Sequence, residues 1–223
     1  MAVDFRLYLI TDRRQAPGGD LLAAVGRALE GGVRAVQLRE KDLPGRELYG
    51  LAAALRRLTA RHGAKLLVND RVDVALAAEA DGVHLGVASI PPKEARRLLG
   101  PGALVGCSTH NLGEVAEAEA GSADFVTFGP VYATPSKAVY GPPVGIAALR
   151  SACAAARIPV FALGGVGPGN VPEVLGAGAW GIGAISALLA ARDPFAAARE
   201  LADRLGTGSA AERTERRGKE GTS

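Results

Sequence analysis

The chain has 223 residues, of which 48% are hydrophobic, and this is enough to bury one substantial core within a single domain. Its net charge of +3 is not gathered into a basic stripe with interleaved aromatic residues, which argues against nucleic-acid binding. No apolar run reaches the length of about 18 residues that a membrane span needs, and Met1–Asp4 lacks the order of a signal peptide. We therefore expect a cytoplasmic protein with no nucleic-acid or membrane partner.

Eight short apolar runs alternate along the chain with longer helical patterns. The predicted strands cover Phe5–Ile10, Val33–Leu38, Lys65–Val68, Gly82–Leu85, Ala103–Gly106, Phe125–Phe128, Val160–Leu163 and Gly181–Ile185. The predicted helices cover Asp20–Glu30, Gly45–Arg61, Val72–Glu79, Pro92–Leu99, Leu112–Ala120, Gly145–Ala156, Gly169–Leu175 and Pro194–Leu205.

Strict alternation of strand and helix requires parallel strands joined by crossover helices. Eight such units in about 205 residues match a compact barrel, whereas a doubly wound sheet usually stops at five or six strands. The sequence therefore predicts an α/β fold, a single-domain (β/α)8 TIM barrel over residues 1–205. Residues 206–223 have almost no apolar content, and we expect them to form a disordered polar tail.

Polar residues follow almost every predicted strand, at the end of the barrel where TIM barrels carry their active sites. Each residue taken alone has a plainer explanation as a helix cap, a turn or a solvated charge. Their concentration at one end of the barrel is what predicts a site. The residues are Thr11, Asp12, Gln37, Arg39, Lys41, Asn69, Asp70, Ser89, Ser108, Thr109, His110, Thr134, Ser136, Lys137, Gly164, Gly165 and Ser186.

Two binding regions can be distinguished within this set. Gly165, with Ile185 and Ser186 opposite, occupies the place where many barrels bind phosphate through backbone N–H groups. The second region combines three cations with a carboxylate and an amide, which suits a diphosphate with Mg²⁺; its members are Arg39, Lys41, Lys137, Asp70 and Asn69. Gln37, Arg39 and Lys41 are spaced two apart, so a strand would place them on one face. The long segment Gly129–Gly145 is expected to be a loop that closes over ligand.

Eight sequence blocks in this order carry a family resemblance over residues 5 to 205. They are Y-L-I-T-D (8–12), Q-L-R-E-K (37–41), V-N-D-R-V-D-V-A (68–75), D-G-V-H-L-G (81–86), G-C-S-T-H (106–110), A-D-F-V-T-F-G-P-V-Y-A-T-P-S-K (123–137), A-L-G-G-V (162–166) and G-A-G-A-W-G-I-G-A-I-S-A (176–187). With these blocks the chain resembles thiamine-phosphate synthase and its relative, the thiazole tautomerase.

The resemblance implies a Mg²⁺-dependent transferase. Its two small-molecule substrates would be 4-amino-2-methyl-5-(diphosphomethyl)pyrimidine and 4-methyl-5-(2-phosphoethyl)thiazole, and its products thiamine phosphate and diphosphate. Loss of diphosphate would leave a carbocation that the thiazole nitrogen captures. The resemblance assigns Gln37, Arg39, Lys41, Asn69, Ser108 and Lys137 to the pyrimidine diphosphate, Asp70 to Mg²⁺, and Thr134, Ser136, Gly165, Ile185 and Ser186 to the thiazole phosphate. The implied catalytic residues are Arg39, Lys41, Ser108, His110 and Lys137.

One position departs from the family pattern. The synthases usually carry a second Mg²⁺-binding Asp shortly after H-L-G, whereas this chain has Ser89, a poorer ligand for the metal. Two alternatives follow: a metal-independent tautomerase with His110 as acid and base, or a non-catalytic protein that binds thiamine precursors. We favour the synthase, because a tautomerase has no diphosphate that would require Arg39 and Lys41. The sequence leaves open whether the chain forms a homo-oligomer.

Overall fold

The computed structural model describes residues 3–134 and 142–206, and within them eight parallel strands close into a barrel in chain order. Each strand pairs with the next, and the last pairs with the first, so that Tyr8 lies opposite Gly183. The strands are β1 (Leu7–Ile10), β2 (Ala35–Leu38), β3 (Lys65–Asn69), β4 (Gly82–Leu85), β5 (Leu104–Thr109), β6 (Phe125–Phe128), β7 (Val160–Leu163) and β8 (Gly181–Ala184). The predicted (β/α)8 barrel is confirmed.

Helices follow the strands and cover the outside of the barrel. They are α1 (Leu21–Glu30), α2 (Gly45–Arg61), α3 (Val72–Ala77), α4 (Pro92–Leu99), α5 (Leu112–Ala120), α6 (Gly145–Ala155), α7 (Val171–Gly176), α8 (Ser186–Leu189) and α9 (Pro194–Arg204). Three of them begin at carboxylate or amide caps, in which Asp20, Asn111 and Asp193 accept hydrogen bonds from backbone N–H groups of the first turn. The four-residue helix α8 was not predicted, and it places Ser186 at a helix start.

The barrel interior is filled by a cluster of apolar side chains that is separate from the larger core between strands and helices. Its rings belong to Phe5, Tyr8, Phe125 and Phe161, and neighbouring centroids lie 5.3 to 6.2 Å apart. Because this cluster fills the interior of the barrel, a ligand can bind only at the carboxyl ends of the strands.

Strand β5 is longer at its carboxyl end than the sequence pattern indicates, since it runs to Thr109 instead of Gly106. The last residues of β5 are polar because they line the barrel mouth. They therefore lie outside the apolar run from which the strand was predicted. Ser108 is therefore held by the sheet and not by a loop. Among the described residues, no helix is long and apolar enough to cross a membrane. The predicted polar tail stays a prediction, because residues 207–223 lie outside the described part.

Candidate active site

Strand β2 and the loop after it bring three predicted residues to the barrel mouth. Gln37 is buried within the strand, and its Nε2 donates a hydrogen bond to Tyr8 Oη over 3.2 Å. The strand ends at Leu38, so the loop, and not strand alternation, positions Arg39 and Lys41. Within the described residues, neither of these two side chains forms a hydrogen bond or salt bridge. Both cations are therefore available to an anionic ligand.

A buried carboxylate, Glu40, fixes this loop from the outer side. Its Oε1 accepts from Thr11 Oγ1 over 2.7 Å and from the backbone N–H of Arg13 over 3.0 Å, and its Oε2 pairs with the Arg13 guanidinium over 3.0 Å. Thr11 Oγ1 in turn accepts from the backbone N–H of Arg39 over 2.9 Å. These contacts tie the loop after β2 to the loop after β1 and thereby hold the backbone on either side of Glu40. Our sequence reasoning assigned it no role, although a lone carboxylate between two cations was a usable signal.

Asp70 stands at the end of β3 in the left-handed backbone region, with φ of 59°. Its Oδ1 accepts hydrogen bonds from the Ser89 hydroxyl and from the backbone N–H of Gly86, and its Oδ2 accepts from Asn69 Nδ2 over 2.7 Å. A non-glycine residue is uncommon in this region, and such positions concentrate at functional sites. The carboxylate is thus held in one orientation by the last residue of β3 and by two residues of the loop after β4.

The pKa of Asp70 is lowered despite an opposing effect of burial. Desolvation raises the pKa, but the hydrogen bonds from Ser89, Gly86 and Asn69 and the positive charge of Lys41 together outweigh it. The unusual residue Ser89 therefore supports the metal-binding candidate through a direct hydrogen bond. Asp70 stays anionic well below neutral pH, which is the state that a metal ligand needs.

Strand β4 contributes His84, a buried residue that our sequence reasoning did not single out as part of the site. Its Nε2 lies 3.1 Å from Ser108 Oγ and 3.4 Å from Thr127 Oγ1, while its Nδ1 lies 3.4 Å from Tyr8 Oη. Burial lowers the pKa of His84 to about 3, and the charges of Asp70 and Arg39 act on it in opposite directions. The backbone N–H of Asp70 donates to the His84 carbonyl over 3.0 Å, so these two residues are neighbours, and Arg39 is near enough to act on the imidazole electrostatically.

Among the described residues, His110 forms no hydrogen bond to His84, Ser108 or Asp70. It follows β5, and both its backbone N–H and its Nδ1 lie within 2.9 Å of Glu114 Oε2 on helix α5. Its side chain is 42% exposed. The described contacts therefore connect His110 to the start of a helix, and none connects it to Ser108 or Asp70.

The second predicted region lies across the barrel, after β7 and β8. The register pairs Leu163 with Gly183, so that Gly165 and Ile185 come next to each other just beyond the strands. Gly165 has φ of 66°, and a Cβ there would approach Tyr132 Cβ to 2.7 Å. Only glycine suits that conformation and that space.

The polar groups around this turn suit a phosphate. Within the described residues the backbone N–H of Gly165 donates no hydrogen bond, while its carbonyl accepts from Asn170 Nδ2 over 2.9 Å. Ser186 begins helix α8, where the first backbone N–H groups have no partner inside the helix. Thr134 is the last described residue before the gap; the predicted residues Ser136 and Lys137 lie outside the described residues.

The oxygen donors around Asp70 are compatible with an Mg²⁺ ion that would be held mainly by the phosphate oxygens of a bound substrate. Among the described residues, no three His, Cys, Asp or Glu side chains are grouped as a metal site. Mg²⁺ commonly uses one or two protein carboxylates and completes its octahedron with phosphate oxygens and water. One ordered carboxylate, the Ser89 hydroxyl and the Asn69 amide meet that requirement, so the residues fit the metal.

An open depression of about 380 Å³ lies elsewhere on the surface, between Arg13, the Gly18–Asp20 turn and Leu51. None of the candidate site residues lines it. We therefore place the site at the barrel mouth, where the polar side chains converge.

Comparisons with known proteins agree on one family. The model of the thiamine monophosphate synthase family matches residues 7–188. The chain is 62% identical over 199 residues to a Geobacter sulfurreducens protein provisionally named a thiamine-phosphate synthase, covering 89% of this chain and 93% of that protein. It is 45% identical to the thiamine-phosphate synthase of Moorella thermoacetica, covering 87% of this chain and 93% of that enzyme.

A solved structure gives the same result in three dimensions. The thiamine phosphate pyrophosphorylase from Pyrococcus furiosus superposes with a TM-score of 0.83 at 40% sequence identity. The match covers 90% of this chain and 95% of the other.

Proposed function

The chain belongs to the thiamine monophosphate synthase family, and we propose that it is an active synthase that uses the barrel mouth described above. In the reaction, the thiazole nitrogen forms a bond to the pyrimidine CH₂ carbon, and the bond from that carbon to the diphosphate oxygen breaks. The electron pair leaves with diphosphate. The product is thiamine phosphate, and no oxidant or proton donor is consumed.

The observation that carries the proposal is the arrangement around Asp70. An oriented carboxylate with a lowered pKa stands in the electrostatic range of Lys41, and Arg39 lies in range of the same cluster. Neither cation forms a side-chain hydrogen bond or salt bridge in the described part of the chain. Negative charge grows on the leaving diphosphate in the transition state, and fixed cations beside it lower the barrier to its departure.

The metal is part of the proposal. Asp70 would hold Mg²⁺, with Ser89 and Asn69 at hand as neutral oxygen donors. When bound, Mg²⁺ supplies positive charge that neutralises the diphosphate leaving group. Lys137, predicted as the third cation of the clamp, lies outside the described residues and is proposed on its sequence position alone.

The two substrates occupy different halves of the mouth. We assign the pyrimidine diphosphate to the side built by β2, β3 and β5, where Gln37, Asn69 and Ser108 provide polar contacts. The thiazole phosphate takes the side of β7 and β8, where the N–H of Gly165, which donates to no described residue, and the start of helix α8 suit an oxyanion. Thr134, Ile185 and Ser186 complete that half, and Ser136, outside the described residues, is assigned to it on its sequence position alone. Each substrate anion is thereby held away from the other, while the reacting carbon and the reacting nitrogen meet between them.

The geometry does not favour the tautomerase. His110, its proposed acid and base, is paired with Glu114 at the start of helix α5. That reaction also has no use for the Arg39, Lys41 and Asp70 arrangement. A purely binding role would leave unexplained why a carboxylate is held at a metal-binding position by three donors.

The test is turnover by the purified chain with both substrates and Mg²⁺. We expect thiamine phosphate to form, and we expect Arg39→Ala to reduce kcat/KM by about a hundredfold, in line with removal of a group that stabilises transition-state charge. Arg57→Ala is the matched control, because Arg57 is an exposed arginine on the outer helix α2. Isomerisation of a thiazole phosphate carboxylate without any thiamine phosphate would refute the synthase and support the tautomerase.

A further inference from the structure

A chain of hydrogen bonds crosses the barrel interior beneath the proposed site. It runs from Gln37 Nε2 to Tyr8 Oη over 3.2 Å, from Tyr8 Oη to His84 Nδ1 over 3.4 Å, and from His84 Nε2 to Ser108 Oγ over 3.1 Å. Tyr8 is fully buried and His84 is 2% exposed. The chain therefore links two residues of the mouth through two residues that are almost wholly buried.

The barrel supports this chain on the side away from the mouth. The ring centroids of Tyr8 and Phe125 both lie 5.7 Å from that of His84. Gly106 has no side chain at the point where a Cβ would lie 2.6 Å from His84 Nδ1, so the imidazole fits against the strand. A buried polar group costs free energy unless it is hydrogen-bonded, so the members of the chain must satisfy one another.

We infer that Tyr8 and His84 are positioning residues, which orient the two substrate-contacting side chains at the ends of this hydrogen-bond chain. The chain has only two self-consistent directions, because each hydroxyl and each neutral imidazole donates one proton. In the first direction, Gln37 donates to Tyr8, Tyr8 donates to His84 Nδ1, and His84 Nε2–H donates to Ser108. In the second, every bond is reversed.

An anion in the mouth selects the first direction. Ser108 then accepts from His84, and its own hydroxyl proton is free to donate to a diphosphate oxygen. In the reversed direction Nε2 accepts a proton from Ser108 or from Thr127, whose Oγ1 lies 3.4 Å away. A Ser108 proton used in this way points inward and leaves only lone pairs to face the anion. At the other end, the first direction turns Gln37 Oε1 toward the mouth, where it can accept from the amino group of the pyrimidine. The inference rests on the proposed function for the identity of these ligands.

The hydrogen bonds themselves require a neutral imidazole. A protonated ring would have two donors, and Tyr8 would then lose its acceptor at Nδ1, which lies 3.4 Å from its hydroxyl.

The test is nitrogen-15 NMR of His84 at neutral pH in the protein saturated with inorganic diphosphate and Mg²⁺, with the signal assigned by His84→Gln. We expect the Nε2–H tautomer, and the Nδ1–H tautomer in the diphosphate complex would overturn the inference. Failure of diphosphate to bind would instead refute the proposed function, so the two failures can be distinguished.

Kinetics supply the second arm. Tyr8→Phe removes one hydroxyl and should raise KM for the pyrimidine diphosphate by about tenfold, while KM for the thiazole phosphate stays unchanged. Phe161→Leu is the matched control, since it removes a ring of the same cluster without touching a hydrogen bond. It should reduce stability and leave the His84 tautomer and both KM values as they are. Equal KM effects of the two substitutions would show that Tyr8 only packs, and would overturn the inference.

Discussion

Replacing Glu40 with alanine should loosen the loop that presents Arg39 and Lys41 to the mouth. The carboxylate is buried, with a side chain 3% exposed, and it accepts from the Thr11 hydroxyl, the Arg13 backbone N–H and the Arg13 guanidinium. Alanine would leave Thr11 without its acceptor. Because Thr11 Oγ1 also holds the backbone N–H of Arg39, the disturbance would reach the site directly.

The expected magnitude follows from the hydrogen bonds to the carboxylate. A hydrogen bond to a charged group contributes about 1.5–3 kcal/mol, and bonds that share one acceptor are not additive. We expect the free energy of unfolding to fall by about 3 kcal/mol for Glu40→Ala. We also expect a loss of kcat/KM, because Arg39 and Lys41 would no longer be held at fixed positions beside the diphosphate.

Urea unfolding followed by circular dichroism measures the first effect, and Asp42→Asn is the matched control. Asp42 binds the same Arg13 guanidinium, but its side chain is 44% exposed, so its loss should change stability little. The reasoning is refuted if the Asp42 variant is destabilised as much as Glu40→Ala. A decrease below about 1 kcal/mol for Glu40→Ala would refute it as well.

Two further substitutions test the two halves of the mouth. Ser89→Ala removes a hydrogen-bond donor to Asp70, so the lowered pKa of the Asp70 carboxyl should rise. Carbon-13 NMR should then show that this carboxyl titrates at higher pH than in wild type. An unchanged titration would contradict the role of Ser89. A lowered pKa stabilises the fold above the unfolded-state pKa, and this contribution is lost as pH falls through the folded-state pKa. In the variant the contribution should be smaller, and its loss should be complete at a higher pH than in wild type. Gly165→Ala should raise KM for the thiazole phosphate alone, because its Cβ would meet Tyr132 at a backbone φ of 66°. The control is Gly50→Ala in helix α2, where no atom lies within 4 Å of the new Cβ. It should leave both KM values unchanged and stabilise the protein by about 0.5–1 kcal/mol. An equal change in KM for the thiazole phosphate in this control would contradict the role of Gly165.

The sequence was sufficient to predict the barrel because its apolar runs recur with helices between them, and the parallel topology follows from that alternation alone. It also predicted that Gln37, Asn69 and Ser108 lie at the carboxyl end of the barrel, since polar residues at the carboxyl ends of strands meet at the mouth of any such barrel. The carboxyl end of β5 was not predicted, because the polar residues that line the barrel mouth interrupt the apolar pattern of a strand.

The supporting residues could not be predicted, because their roles depend on contacts between distant parts of the chain. Ser89 is 19 positions from Asp70, and only the folded loops reveal that the two side chains are hydrogen-bonded. His84 stands between Val83 and Leu85, and a histidine within an apolar strand is indistinguishable in sequence from a core residue. The arrangement around Glu40 likewise requires the loop after β1 to meet the loop after β2.

The most direct test of the account is the stoichiometry of the reaction catalysed by the purified chain. With both substrates and Mg²⁺ present, we predict that thiamine phosphate and diphosphate appear in equal amounts as the pyrimidine diphosphate is consumed. We also predict that Asp70→Asn or chelation of Mg²⁺ reduces the rate steeply. Release of diphosphate without thiamine phosphate, or a rate that does not depend on Asp70, would contradict the account.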